Sequence, residues 1–184
     1  MDSDGYLSQL ADIFNGITVN TPSISAIIAI VLAGVLLLAS GFASASEIAF
    51  FSLSPSDRND IDERNHPSDD KISALLGDTE RLLATILITN NFVNVTIIML
   101  CNFFFMNVFV FHSPLAEFLI LTVILTFLLL LFGEIMPKIY SAQKTLAFCR
   151  FSAPGIYFLE KVFRPIATVL VRSTTFLNKH FVKK

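Results

Sequence analysis

The sequence predicts an all-α membrane protein: three transmembrane helices, a cytoplasmic helical insert and amphipathic juxtamembrane helices. Three observations carry this expectation. Hydrophobic residues make up 54% of the 184 residues, with 19 Phe and a mean hydropathy of +0.69, whereas a soluble domain runs to roughly 45–50% apolar residues. Three apolar runs are each long enough for the roughly 20 residues that cross a bilayer core. The 13 Lys and Arg fall into two blocks, since none precedes Arg58, four lie between Arg58 and Arg81, and nine follow Pro137. The net charge of −2 says less than this distribution, and gives no reason to expect a nucleic-acid partner.

Residues 1–23 carry Asp2, Asp4 and Asp12 but no base, which places them outside the cytoplasm by the positive-inside rule. No basic stretch precedes an apolar h-region, so no signal peptide is read and the first span, about 24–46, is itself the insertion signal. The polar insert at about 54–81, beginning "SPSDRNDIDERNHPSDD", is cytoplasmic by its four bases. In it Ser54, Pro55 and Asp57 suit an N-cap, an N1 proline and an N3 acid. His66-Pro67 should break that helix, and Asp78 suits the cap of the next. The second span, about 82–111, exceeds what the bilayer needs and should tilt or project. A tight "HSP" turn then returns the chain through a third span at about 115–135, making an antiparallel hairpin. From 138 to 184 the apolar pattern is interrupted by Arg150, Pro154, Gly155, Glu160, Lys161, Arg164, Pro165 and Arg172. Central charges make a span there costly, and short amphipathic helices on the inner membrane surface fit better. The expected protein is multi-pass in the plasma membrane (a bacterial inner membrane), with its N-terminus outside and its C-terminus cytoplasmic.

Cys101 and Cys149 lie in different regions and should not pair. With no Gly-rich phosphate loop, Cys/His cluster or nucleophile motif, enzymatic activity is not expected. What remains is oxygen inside the spans. Ser40, Ser44 and Glu47 recur at helical spacing near the end of the first span. Asn90 and Asn94 share a face of the second, and the third ends in Gly133 and Glu134. Ser and Asn in membrane helices commonly act as interhelical hydrogen-bonding glue, and Asn91, Asn102 and Asn107 are read that way. A carboxylate at membrane depth is a site hypothesis by default. Glu47 could instead reach the interface, and Glu134 could pair with Lys138 one helical turn on. Pro137 favours a site: in an α-helix its missing N–H frees the carbonyl of Gly133, which lipid cannot satisfy. An inventory of hydroxyl, amide, carbonyl and carboxylate oxygen, without thiolate or imidazole, suits Mg²⁺, Ca²⁺ or Na⁺.

Together "SGFASASEIAFFSLSPSD", "LLATILITNNFVNV" and "FGEIMPK" resemble the transmembrane domain of the CorC/cyclin M family of magnesium transporters, in order and spacing from about Ile24 to Lys138. The resemblance implies a homodimer of three-span subunits that exports Mg²⁺, with Na⁺ flowing inward. Its ion site would comprise Ser40, Ser44, Asn90, Gly133 and Glu134, with Asn94 matching a recurrent asparagine. Thr89 stands where many relatives have glycine, which crowds the helices but removes no oxygen. The family's longer chains continue into cytoplasmic CBS domains, so a CBS pair is expected in the full-length chain. The rival reading is a membrane scaffold for a gliding-motility or secretion machine. Such a scaffold has no need of a charged, oxygen-lined pocket.

Overall fold

The computed structural model describes residues 18–111 and 113–181, with side chains described to residue 172 apart from that of Ala116. The acidic segment before residue 18 and His112 of the turn lie outside the described residues. The chain is almost wholly helical among the described residues, and three stretches are long and apolar enough to cross a membrane: Ile24–Phe51, Thr79–Val108 and Glu117–Gln143.

Helix α1 (Ile24–Phe51) starts where the Ser23 hydroxyl accepts the Ala26 amide, and closes with the Ser52 amide on the Ile48 carbonyl. It is longer than the apolar run expected at 24–46, because "EIAFF" still favours helix beyond it. Helix α2 (Pro55–Asp62) opens on a complete capping box, Ser54 and Asp57 each accepting the other's backbone N–H, with Pro55 in the first turn. Helix α3 (Asp69–Leu76) follows the His66-Pro67 break. Eight-residue helices do not hold in isolation. These two persist because Ile61, Ile72 and Leu75 are buried against Phe50, Leu82, Ile86, Cys149, Ala153 and Ile156, each large side chain contributing roughly 1.5–3 kcal/mol where the alternative is water.

Helix α4 (Thr79–Val108) is capped by the Asp78 side chain, which accepts the Arg81 amide. It ends at Val108, short of the expected 111, because β-branched and aromatic residues turn extended. Strand β2 (Phe109–Val110) pairs antiparallel with β1 (Thr18–Val19) in the register Thr18↔Val110 and Val19↔Phe109. The third crossing runs through helix α5 (Pro114–Leu128), a π segment (Leu129–Ile135) and helix α6 (Met136–Gln143). It therefore continues past the expected end at 135, with Pro137 in the first turn of the resumed helix.

The tail differs most from expectation. In place of separate short helices it forms one helix, α7 (Thr145–Phe181), with Pro154 and Pro165 inside it. Both prolines are exposed and lie on nearly the same side at 100° per residue. The carbonyls they free, those of Arg150 and Lys161, thus open outward, while the opposite face is pinned by Cys149, Ala153, Ile156 and Ala167, each 0% exposed. Helix α1 is central, packing mainly on α4 and also on the π segment, α6 and α7.

Candidate functional site

Two apolar clusters bracket a polar layer. One joins the ends of α1 and α4 to α2, α3 and α7. The other, of Ala33, Val93, Ile97, Cys101 and Leu125, lies further along the crossing helices. Between them Ser40 and Ser44, one turn apart on α1, are fully buried and face Asn90 and Asn94, one turn apart on α4. The Ser40 hydroxyl donates toward Asn94 Oδ1 at 2.6 Å and Asn90 Oδ1 at 2.9 Å, and Ser44 reaches Asn90 Oδ1 at 3.5 Å. A hydroxyl has one proton, so Ser40 cannot fully satisfy both amide oxygens. A lone pair on the amide oxygens is thus left to meet another donor or a cation.

The third crossing touches this layer through Gly133. A Cβ on Gly133 would lie 3.2 Å from Ser40 Oγ, and one on Gly41 would lie 3.0 Å from Pro137 Cγ and 3.3 Å from the Phe132 carbonyl oxygen. Small residues at both points set how closely α1 and the third crossing approach. Glu134 is half-buried, and its carboxylate has no hydrogen bond or ion pair among the described residues. The local pair considered for it does not form: Lys138 Nζ binds Glu47 at 3.1 Å instead. Serine, asparagine and glycine are thus brought into direct register, while Glu134 follows immediately after Gly133 without joining the hydrogen-bonded set.

The π segment revises which carbonyl Pro137 affects. The Met136 amide reaches back five residues to the Leu131 carbonyl, so in that register the missing N–H of Pro137 falls on Phe132, not Gly133. The Phe132 oxygen is the one that faces Gly41. Nothing in the apolar pattern of "LLLLFGEIMPK" separates α from π pairing, so the sequence carried no signal for this.

Of the asparagines read as interhelical glue, Asn91 and Asn107 instead donate within their own helix, to the Leu87 and Phe103 carbonyls one turn back, while Asn107 Oδ1 also accepts from the Ser23 hydroxyl at the start of α1 at 3.2 Å. Asn102 lies apart, in a cavity between α4 and α5. Features passed over by the sequence reading are the Ser141 hydroxyl, which donates to the Ala45 carbonyl at 2.6 Å and ties α6 to α1, and Thr85, buried with no hydrogen-bond partner for its hydroxyl among the described residues. Among the described residues no group of three or more His, Cys, Asp or Glu could hold a metal. Any cation in the polar layer would therefore be met mainly by neutral oxygens.

Three apolar crossings enclosing a buried oxygen layer define a multi-pass membrane protein with a polar layer inside its apolar helices. Comparison with family models makes this specific: the Cyclin M transmembrane N-terminal domain matches residues 28–183. The chain belongs to the cyclin M family, which is associated with Mg²⁺ transport. Comparison with curated protein sequences returns no match.

Proposed function

We propose that the protein exports Mg²⁺ from the cytoplasm in exchange for Na⁺, as a homodimer in the plasma membrane with its N-terminus outside and its C-terminus cytoplasmic. The observation that carries this is the convergence of Ser40, Ser44, Asn90 and Asn94 oxygens on one buried layer, closed by Gly133 with Glu134 beside it. Mg²⁺ takes near-octahedral oxygen at about 2.0–2.1 Å and sheds water reluctantly, so a site that strips it needs an anionic ligand among several fixed neutral ones. Glu134 supplies the charge, Ser40, Ser44, Asn90 and Asn94 the neutral oxygens, and the backbone around Gly133 a further carbonyl. The two bracketing apolar clusters keep competing water out. Direction and coupling follow from the family resemblance, since ligand chemistry is the same whichever way the ion moves.

The test is Mg²⁺ titration of the purified chain. Changes outside the ligand shell already cost about 10–100-fold in metal affinity, so Glu134→Gln should lose at least that much, while Glu117→Gln at the outer turn should change little. Unchanged affinity in Glu134→Gln sinks the coordination. Mg²⁺ extrusion from loaded vesicles should stop when an opposing Na⁺ gradient is collapsed. If it continues, the coupling is wrong and the site is not.

A further inference from the structure

A second polar cavity, of about 220 Å³, opens at the start of α4, between that helix, α3 and α7. Its charged and aromatic lining is Asp78, Arg81, Tyr157, Glu160, Lys161 and Arg164. Arg81 is already neutralised, at 2.9 Å from Asp78 and 3.7 Å from Glu160. The other two cations are not. Lys161 Nζ sits 4.6 Å from the centroid of the Tyr157 ring, and neither Lys161 nor Arg164 has a carboxylate partner among the described residues. The two acids are both drawn to Arg81, so the lining keeps a net charge of +1, with its two unpaired cations, Lys161 and Arg164, on the α7 wall.

The surroundings say what kind of anion fits. At 100° per residue, α7 divides into three stripes. Cys149, Ala153, Ile156 and Ala167 face the protein and are buried. Phe151, Phe158, Val162, Ile166 and Val169 form an apolar stripe that is open to the outside, with Phe158 65% and Val162 52% exposed. Between these two runs Tyr157, Lys161, Arg164 and Arg172. A helix with a wide apolar stripe lies in the interface with that stripe among acyl chains, and basic residues at its border then stand at headgroup level. A soluble anion would gain nothing from the adjoining apolar stripe. A lipid uses both.

We propose that this cavity seats the phosphate of an anionic phospholipid, held by Lys161 and Arg164 and bordered by Tyr157, with the acyl chains along Phe158, Val162 and Ile166. The proposal stands apart from the ion site and does not depend on transport. Lys161 and Arg164 are exposed, so substituting them should leave the fold intact.

The test uses the purified chain in mild detergent, with phosphatidylglycerol and phosphatidylcholine of identical acyl chains, reading bound lipid by native mass spectrometry and thermal stability in parallel. Phosphatidylglycerol should bind preferentially. Each single substitution, Lys161→Ala or Arg164→Ala, should weaken that preference roughly fivefold, and the pair roughly 25-fold, as expected for about one basic residue's attraction each. Lys71→Ala, on α3 and outside the cavity lining, should retain it. Equal binding of the two lipids by the unaltered chain, or an undiminished preference in the double variant, overturns the proposal. So does displacement of phosphatidylglycerol by millimolar inorganic phosphate with the same stabilisation, which would make the cavity a free-phosphate site.

Discussion

Gly133 and Gly41 look alike in the sequence, yet their neighbours give them different work. The contact beyond Gly41 is the Pro137 ring, 3.0 Å from where a Cβ would stand, and a ring cannot turn away. The contact beyond Gly133 is the Ser40 hydroxyl at 3.2 Å, which can. Gly41→Ala should therefore cost stability, about 1–3 kcal/mol as for other overpacked contacts, seen as a lowered thermal midpoint in detergent. Gly133→Ala should leave the midpoint nearly unchanged but displace Ser40, reducing Mg²⁺ affinity. Gly34, with nothing within 4 Å of its added Cβ, is the control and should tolerate Ala in both assays. A midpoint loss in Gly34→Ala equal to that in Gly41→Ala would overturn the packing account, since alanine by itself favours a helix over glycine. Much of this layer was legible beforehand: helical spacing alone put Ser40 with Ser44 and Asn90 with Asn94. What spacing could not supply was the partner of Lys138, because Glu134 and Glu47 are both within its reach and only the packing of α6 on α1 selects Glu47.

Pro137 acts on a whole stretch of helix. With Met136 bonded to Leu131, the π segment inserts one residue relative to α pairing and turns everything beyond it by about 100°. That rotation helps set where Glu134 and Lys138 point relative to α1. Pro137→Ala supplies the missing amide and removes the ring against Gly41, so the segment should relax toward α pairing and carry the Glu134 carboxylate out of register with Ser40 and Asn90. Mg²⁺ affinity should fall severalfold with every side-chain ligand intact. Unchanged affinity would separate the π segment from ion binding and leave Pro137 a packing role only. The elements themselves were readable wherever a local rule decided them. The capping box at Ser54 and the cap at Asp78 appear as the sequence proposed, since a cap depends on residues three apart. The continuous α7 was not readable, because whether a proline breaks a helix depends on which side of it is pinned. Here the pinned side is buried by α1, α3 and α4, which are distant in sequence.

Beside the looser Arg81–Glu160 contact, a buried ion pair joins the polar insert to the tail, and that pair sets how the assembled protein should respond to acid. Arg150 on α7 binds Asp69 at the start of α3 with both arms, Nε to Oδ1 at 2.9 Å and Nη2 to Oδ2 at 3.0 Å, and its Nη2 also reaches the Asp60 carbonyl at 3.5 Å. The His66 amide adds a third hydrogen bond to the carboxylate at 3.0 Å. Asp69 is 0% exposed, and burial by itself would push its carboxyl up. The hydrogen bonds from Arg150 and from the His66 amide, together with the Arg150 charge, outweigh that and hold it below its ordinary value. A carboxyl depressed in the folded state binds its proton more readily when unfolded, so its stabilisation is complete above the unfolded pKa of about 3.9 and is lost as pH falls through that value toward the folded one. Removing one partner of a buried pair typically costs about 3–5 kcal/mol. Asp69→Asn should fall toward the lower end, because the Arg150 side chain is 23% exposed and can be partly rehydrated. Thermal unfolding of the unaltered chain and Asp69→Asn should therefore differ widely at pH 7, still differ at pH 5, and converge as pH falls below about 4 toward the depressed folded value of the wild-type carboxyl. A gap that stays constant across that range would mean that Asp69 stabilises by shape alone, and that the clasp between insert and tail is not electrostatic.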